Sequence, residues 1–298
     1  MQILMLYGGT GEEREVSVES ATAVIGALAG TQHRVLALDY RGGKLSTALC
    51  EAMRQADAVF LALHGGEGEG GILQSRLEQA GIFHYTGAGP EAAALALDKG
   101  RAKAAVAAAG VPVAAGGVWL PQQAPPACPL PAILKPLCGG SSVGLSQVAD
   151  AATLSALAPT APMLLEEYLS GREYSVSVFC GRVLPIVEIR PQGGVYDYAH
   201  KYTPGATEEL CPAPIDQDKT ALLCRLATTA YHALGLRDAA RIDFKEDAAG
   251  HPRFLEANTL PGLTSTSLLP LAAKTDGIPF PALCVAMAEA AAARRCVR

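Results

Sequence analysis

Apolar positions along this chain follow two rhythms, and the change from one to the other marks out its organisation. Near the start, short apolar runs at residues 2–7, 34–39 and 58–63 alternate with helical patterns from about residue 15, near residue 46 and from about residue 71. That spacing predicts a parallel α/β sheet. The Gly-rich turns Gly8-Gly9 and 65–71 follow strands, where open parallel sheets place their ligands. Beyond Asp98-Lys99 the texture shifts to a helix, a Pro-rich connector over 121–131 and short strands over 132–135 and 143–148, a small α+β module. A strand is expected over 163–168, two more over 174–180 and 183–190, and then a loop over 191–212 with little periodicity. A loop of that length is usually a functional lid or is disordered. The chain closes with a helix over 216–236, a hairpin around residues 241–262, and helices over 265–274 and 279–294.

The hairpin carries the clearest chemistry. In Arg241-Ile242-Asp243-Phe244 the two polar residues share one face, and in Phe254-Leu255-Glu256-Ala257-Asn258 Glu256 and Asn258 share a face by the same period of two. Pairing the strands through the turn at 247–250 would bring Asp243, Glu256 and Asn258 together. Three hard oxygen donors suit Mg2+, which completes its shell with waters and phosphates. Taken alone, the same residues also fit a solvated surface hairpin.

Two further segments could serve a nucleotide. Gly139-Gly140-Ser141-Ser142-Val143-Gly144 lies between strands, with Lys135 ending the first, so backbone N–H groups and one ammonium could meet phosphate oxygens. It is not a P-loop, since no Gly-Lys-Ser/Thr opens a helix after it, and a plain hairpin turn fits too. Glu166 and Glu173 flank a turn and could accept from an adenine amino group and a ribose hydroxyl, although such acids are commonplace. No G-x-G-x-x-G follows a strand, so a nicotinamide cofactor is not indicated.

Composition narrows the classes. The 298 residues suffice for two or three domains, and with half hydrophobic but only 5% aromatic the core should be helices and aliphatic strands. A net charge of −5 with interleaved signs, and no basic run with aromatics, argues against nucleic acid. No apolar run approaches the roughly 20 residues of a membrane span. The first residues lack a signal peptide, so the mature protein is expected to begin at Met1. Eight cysteines without a C-x-x-C pair fit reduced thiols in a cytoplasmic protein better than zinc or disulfides. Cys138, beside the Gly-rich loop, reads as a packing or rim residue.

These segments together carry a resemblance. Gly8-Gly9 with Glu12-Glu13-Arg14-Glu15-Val16-Ser17, Ala62-Leu63-His64-Gly65, Leu73-Gln74, Tyr85-Thr86-Gly87, Asp98-Lys99, the loop to Gly144, Tyr196-Asp197-Tyr198 with Lys201-Tyr202, Arg241-Ile242-Asp243 and the run from Glu256 to Gly262 stand in a fixed order. That order resembles the D-alanine-D-alanine ligases of the ATP-grasp superfamily over essentially the whole chain. The resemblance implies an ATP-grasp fold, α/β and α+β, with an N-terminal parallel α/β (Rossmann-like) substrate domain over 1–96, a central small domain over 97–170 and a C-terminal catalytic domain over 171–298 bearing a lid at 191–212. It implies ATP as co-substrate, contacted by Lys99, Lys135 and Lys201 at the phosphates, by Glu166 and Leu169 at adenine and by Glu173 at ribose. Asp243, Glu256 and Asn258 match a site for two Mg2+ ions, with Mn2+ as a possible substitute.

By the same resemblance, a D-alanine carboxylate attacks ATP to give an acyl phosphate, which the amine of a second D-alanine displaces, supplying a dipeptide for peptidoglycan precursors. Glu13 matches the ammonium site of the first D-alanine, Arg241 and the Gly262 N–H the oxyanion site, and Ser267 with the Leu268 backbone the second carboxylate. Glu13, Ser141 and Tyr202 match a trio that closes the site against water. His64 matches an active-site position, where moving a proton and anchoring a loop are both open. Glu69 matches an acid near the first substrate, but Gly70 stands where the family usually has Asp and Ser75 where it has Gly, which leaves the shape of that loop in doubt. A homodimer is implied by resemblance only. The rivals are a ligase of the same fold that takes D-serine or D-lactate, against which last Tyr202 argues, and an ATP-binding sensor without ligase chemistry, against which the intact trio Asp243, Glu256, Asn258 argues.

Overall fold

The computed structural model describes residues 1–11, 13–140, 144–191 and 207–296. Its first unit is the expected alternation: β1 (Gln2–Gly8), α1 (Arg14–Ala29), β2 (Arg34–Tyr40), α2 (Thr47–Gln55), β3 (Ala58–Ala62), a short α3 (Gly66–Glu69) and α4 (Ile72–Gln79). The three strands pair in parallel in the order β2-β1-β3. Every residue of β3 is buried, as are Ile3, Leu4, Met5, Leu6 and Gly8 of β1, as strands covered on both faces require. On one face Ile3, Met5 and Phe60 pack against Val24 and Leu28 of α1, and on the other Leu4, Leu6 and Leu61 pack against Met53, Leu73 and Leu77.

Two helices, α5 (Pro90–Leu97) and α6 (Lys99–Ala108), lead into the second unit. Pro90 opens α5, where its missing N–H costs nothing, and the Asp98 side chain caps α6 by accepting from the Arg101 N–H at 3.0 Å. The strands β4 (Gly116–Trp119), β5 (Ala132–Pro136), β6 (Ser146–Val148) and β7 (Met163–Glu167), with α7 (Ala151–Ala156), form a four-stranded antiparallel sheet in the order β4-β7-β5-β6. Its small core holds Trp119, Leu134, Val148 and Leu165.

The third unit has β8 (Glu173–Phe179), β9 (Arg182–Val183), β10 (Val187–Pro191), β11 (Thr207–Leu210), α8 (Gln217–Ala233), β12 (Ala239–Glu246), β13 (Pro252–Asn258), α9 (Leu268–Thr275) and α10 (Phe280–Ala292). The sheet runs β11-β10-β8-β12-β13, with β9 also on β8. Helix α10 crosses back to the first unit, where Leu283, Met287 and Ala291 share a core with Ile3 and Phe60.

The structure adds a strand, β4, where none was expected, begins β6 at Ser146 rather than at 143, and departs from the expected elements in three further places. The strand expected over 183–190 is broken between β9 and β10, where Pro185 has no N–H to give the ladder. Part of the expected loop over 191–212 is strand, since β11 pairs antiparallel with β10 from Glu188↔Leu210 to Pro191↔Thr207. The helix expected from 265 starts at Leu268, because the preceding residues turn so that the Ser267 N–H meets the Thr264 carbonyl at 3.1 Å.

Candidate active site

Ladder register positions the carboxylates. In the β12–β13 hairpin Asp243 lies opposite Glu256 and Arg241 opposite Asn258, so all four side chains share one face as their alternation predicts. The register slips between Asp243 and Phe244, which leaves Leu255 as the extra residue of a bulge. The slip re-aims the strand so that Phe244 and Phe254 meet edge-to-face at 6.3 Å in the core while Glu256 stays on the polar face. Asp243, 6% exposed, accepts from Ser175 Oγ at 2.7 Å and from Arg241 Nε and Nη2 at 3.0 and 2.9 Å.

Lys99, the first residue of α6, reaches over this face. Its Nζ lies 3.2 Å from Glu256 Oε2 and donates to the Gly139 carbonyl at 2.5 Å, joining the Gly-rich loop to the hairpin. Burial works against its charge, but Glu256 outweighs it and holds the ammonium above its usual pKa. On the smaller sheet Glu166 is 4% exposed and paired with Lys135 at 2.5 Å and Lys103 at 2.6 Å. Burial alone would raise the Glu166 carboxyl, yet the two lysines keep it below the usual carboxylate range. Its carboxylate, expected as an adenine contact, is therefore engaged by lysines, while Leu169 is buried nearby in sequence and Glu173 pairs with Lys245 at 2.9 Å.

The opposite wall is made of loops. Glu13 stands at the N-cap position of α1, and its carboxylate fits between two glycines. A Cβ on Gly65 would come within 2.5 Å of one Glu13 oxygen, and a Cβ on Gly140 within 3.5 Å of the other. Gly65 also has φ of +62°, a region that costs an L side chain strain. His64 Nε2 sits 3.1 Å from Ser20 Oγ, which in turn accepts from the Leu263 N–H at 3.3 Å. Ser20 of α1 thus joins His64 to the backbone beside Gly262, and burial lowers the His64 pKa.

Glu69 accepts from the Gly65 N–H at 3.1 Å. Burial, with the charges of Glu13 and Glu256 adding to it, pushes its carboxyl up to about 7. The departure at Gly70 has a steric reason: a Cβ there would lie 2.9 Å from Leu97 Cδ2 and 3.0 Å from the Gly66 carbonyl. Ser75 is a helix residue whose Oγ accepts from Gln79 at 3.2 Å. The loop is fastened instead by Glu67, whose carboxylate takes Arg76 at 2.5 Å, the Gly43 N–H at 2.9 Å and Tyr40 Oη at 3.2 Å. Those partners, Arg76 first, bring Glu67 down to about 2.

The two walls enclose a cavity of about 100 Å³ lined by Glu13, Glu69, Arg241, Glu256, Gly262 and Ser267 among others. His64, Asn258 and Leu268 reach it as well. A Cβ on Gly262 would meet Ser267 Oγ at 2.6 Å, so only glycine lets these two approach. Ser267 Oγ also receives the Thr264 N–H at 3.0 Å. A larger cavity of about 410 Å³ adjoins through Glu13, His64 and Gly140. Ser141, Lys201 and Tyr202, and most of the expected lid, lie outside the described residues. Sequence reasoning missed Lys103, Ser20 and Ser175. Lys103 was findable, since it stands four residues after Lys99 and so on the same helix face.

A four-stranded antiparallel sheet carrying Lys135, a helix whose Lys99 faces Glu256 on a larger antiparallel sheet, and a parallel α/β unit beside them define the ATP-grasp class. The chain matches the solved D-alanine–D-alanine ligase of Bacillus anthracis with a TM-score of 0.85 and 28% identity over 99% of this chain and 98% of that one. The same enzyme complexed with ATP gives 0.84 and 27% over the same shares of the two chains. The VanG D-Ala:D-Ser ligase of Enterococcus faecalis gives 0.80 and 26%, over 97% of this chain and 99% of that one.

A family model described as D-ala D-ala ligase C-terminus matches residues 120–289. A D-alanine–D-alanine ligase of Actinobacillus pleuropneumoniae serotype 5b is 41% identical, with 94% of each chain covered, and one of Acidiphilium cryptum is 41% identical over 98% of this chain and 99% of that one. This chain belongs to the D-alanine–D-alanine ligase family.

Proposed function

We propose that this chain joins two D-alanines to D-alanyl-D-alanine at the expense of ATP, through a D-alanyl phosphate, for peptidoglycan precursor synthesis. The observation that carries the reading is the small cavity, whose lining combines a carboxylate for an ammonium (Glu13) with a cation (Arg241) and a hydroxyl (Ser267). That polarity suits a zwitterionic amino acid whose carboxyl carbon lies between them. Glu13 holds the first ammonium and directs the carboxylate toward the nucleotide. One carboxylate oxygen attacks the γ-phosphorus, and ADP leaves. The second amine, as free base, then attacks the carbonyl carbon. The oxyanion formed there is met by Arg241 and the Gly262 N–H; as it collapses the C–O bond to phosphate breaks, and the proton shed by the amine nitrogen passes to the departing phosphate. Ser267 and the Leu268 backbone receive the second carboxylate, with His64 and Glu69 completing the wall.

Asp243, Glu256 and Asn258 fit Mg2+, because hard oxygen donors stand on one face of paired strands at opposed and next-but-one positions. We assign them two Mg2+ ions, for which Mn2+ can substitute, and the ions supply neutralisation of triphosphate charge. Lys99, Lys135 and Lys201 serve the phosphates, Glu166 and Leu169 adenine, and Glu173 ribose, while Ser141 and Tyr202 complete the closing trio with Glu13. The protein works as a cytoplasmic homodimer. Among the described residues no single helix is long and apolar enough to cross a membrane.

The test is phosphate release and product identity with ATP and Mg2+ across D-alanine, D-serine, D-lactate and the L-isomers. D-alanine alone should yield D-alanyl-D-alanine, with activity rising from pH 6 to 9 as the free amine fraction grows. A mixed D-alanyl-D-serine product dominating at equal concentrations would replace the reading with that of a D-serine ligase.

A further inference from the structure

Lys103 is a buried ammonium for which the reaction above has no use. It is 6% exposed, projects from α6, and makes two contacts in opposite directions. Toward the four-stranded sheet its Nζ lies 2.6 Å from Glu166 Oε2, while the other oxygen of that carboxylate is 2.5 Å from Lys135 Nζ. Toward the larger sheet it donates to the Phe254 carbonyl at 2.9 Å, on the outer edge of β13 and two residues before Glu256. The Phe254 N–H on that edge is bonded to the Pro112 carbonyl at 2.8 Å. One lysine therefore spans the seam between the two sheets that the nucleotide is assigned to.

The ion pairing gives this strut a consequence for binding. Two lysines share one carboxylate, so the buried trio carries a net positive charge. Lys135 is its more accessible member, with 14% of its side chain exposed against 8% for Lys103. For Lys135 to turn toward a phosphate it must loosen its hold on Glu166. A buried carboxylate left without a partner is strongly disfavoured, so the turn is possible only where a second cation stays behind. Burial brings Lys103 down to about 8 in spite of Glu166, so it remains charged at neutral pH.

We propose that Lys103 is a positioning residue for nucleotide binding: by holding Glu166 from the far side, it frees Lys135 to engage the phosphates. The proposal rests on the assignment of Lys135 to ATP. It makes Lys103 act through Glu166 rather than on the ligand, and that can be separated from a purely structural role.

The test is calorimetric titration of the folded protein with Mg2+ and a non-hydrolysable ATP analogue, together with the KM for D-alanine. Lys103→Met should raise the nucleotide Kd about tenfold or more and leave the KM for D-alanine within about twofold. Lys103→Arg, which keeps the charge, should stay within about threefold of wild type. In the pair Lys103→Met with Glu166→Gln no charge is stranded and Lys135 is released, so its Kd should fall within about threefold of Glu166→Gln alone. That last comparison stands even where Lys103→Met by itself does not fold.

A folded Lys103→Met with wild-type Kd would overturn the proposal. So would a neutral pair binding about tenfold more weakly than Glu166→Gln, which would mark Lys103 as a structural strut. A wild-type protein without nucleotide affinity would overturn the ATP reading itself, and is distinguished by failing before any substitution is made.

Discussion

The cavity has two walls built on different principles. The strand wall, Arg241, Asp243, Glu256 and Asn258, is placed by backbone ladder register, with Asp243 and Glu256 opposed across β12 and β13. The loop wall, Glu13, His64, Glu69 and Gly262, is placed by side chains gripping backbone: Glu69 on the Gly65 N–H, and Ser20 between His64 and the Leu263 N–H. A ladder fixes position without regard to the side chain it carries, so a substitution on the strand wall should change charge and leave geometry. On the loop wall the side chain is itself the fastening, so a substitution should change geometry and charge together.

The largest effect tests the strand wall. Glu256→Gln should abolish turnover, by at least about 10²-fold, because it replaces the central anionic donor of the proposed Mg2+ site with a neutral amide. Circular dichroism and the unfolding midpoint should stay near wild type, since Ala257 and Phe254 keep the strand buried. A folded Glu256→Gln protein with near-normal phosphate release would break the assignment of this wall.

Next comes the loop wall. Gly65→Ala adds a Cβ within 2.5 Å of Glu13 Oε2 at φ of +62°, so it must displace Glu13 or the loop. The KM for the first D-alanine should rise about tenfold, equivalent to about 1.4 kcal/mol, with nucleotide affinity changed far less. Equal losses for D-alanine and nucleotide would show that the walls are not separable.

The smallest effect is electrostatic. The Glu69 carboxyl is raised from 4.5 to about 7 by burial and by Glu13 and Glu256. Between those values the folded chain keeps a proton that the unfolded chain has lost, so stability falls as pH rises through that window. Glu69→Gln should remove part of that fall, making the free protein more stable than wild type at pH 8 relative to pH 5 by on the order of 2 kcal/mol. Parallel pH profiles of chemical denaturation for the two proteins would contradict the crowding of acids on the loop wall.

The same division explains how much could be read in advance. The strand wall was legible because a period of two states which side chains share a face, and 241–244 and 256–258 obey it, while the bulge at Leu255 sends Phe254 to the other face. The loop wall came from resemblance alone: nothing local to His64 announces Ser20, and the raised Glu69 depends on Glu13 and Glu256, far off in the chain. β11 was unseen because Thr207–Leu210 reads Thr-Glu-Glu-Leu, with no apolar alternation, and is strand only through its pairing with β10. Lys103 looked like an ordinary helix lysine until two sheets closed around it.

The central claim is that a D-alanine carboxylate is activated on ATP between these walls. It is tested most directly with D-alanine carrying 18O in its carboxyl group, ATP and Mg2+, and mass analysis of the phosphate released. If the acyl phosphate forms and the second amine displaces it, the C–O bond breaks on the carbon side. Each phosphate released should then carry one 18O for each D-alanyl-D-alanine made. Unlabelled phosphate accompanying dipeptide would contradict the account.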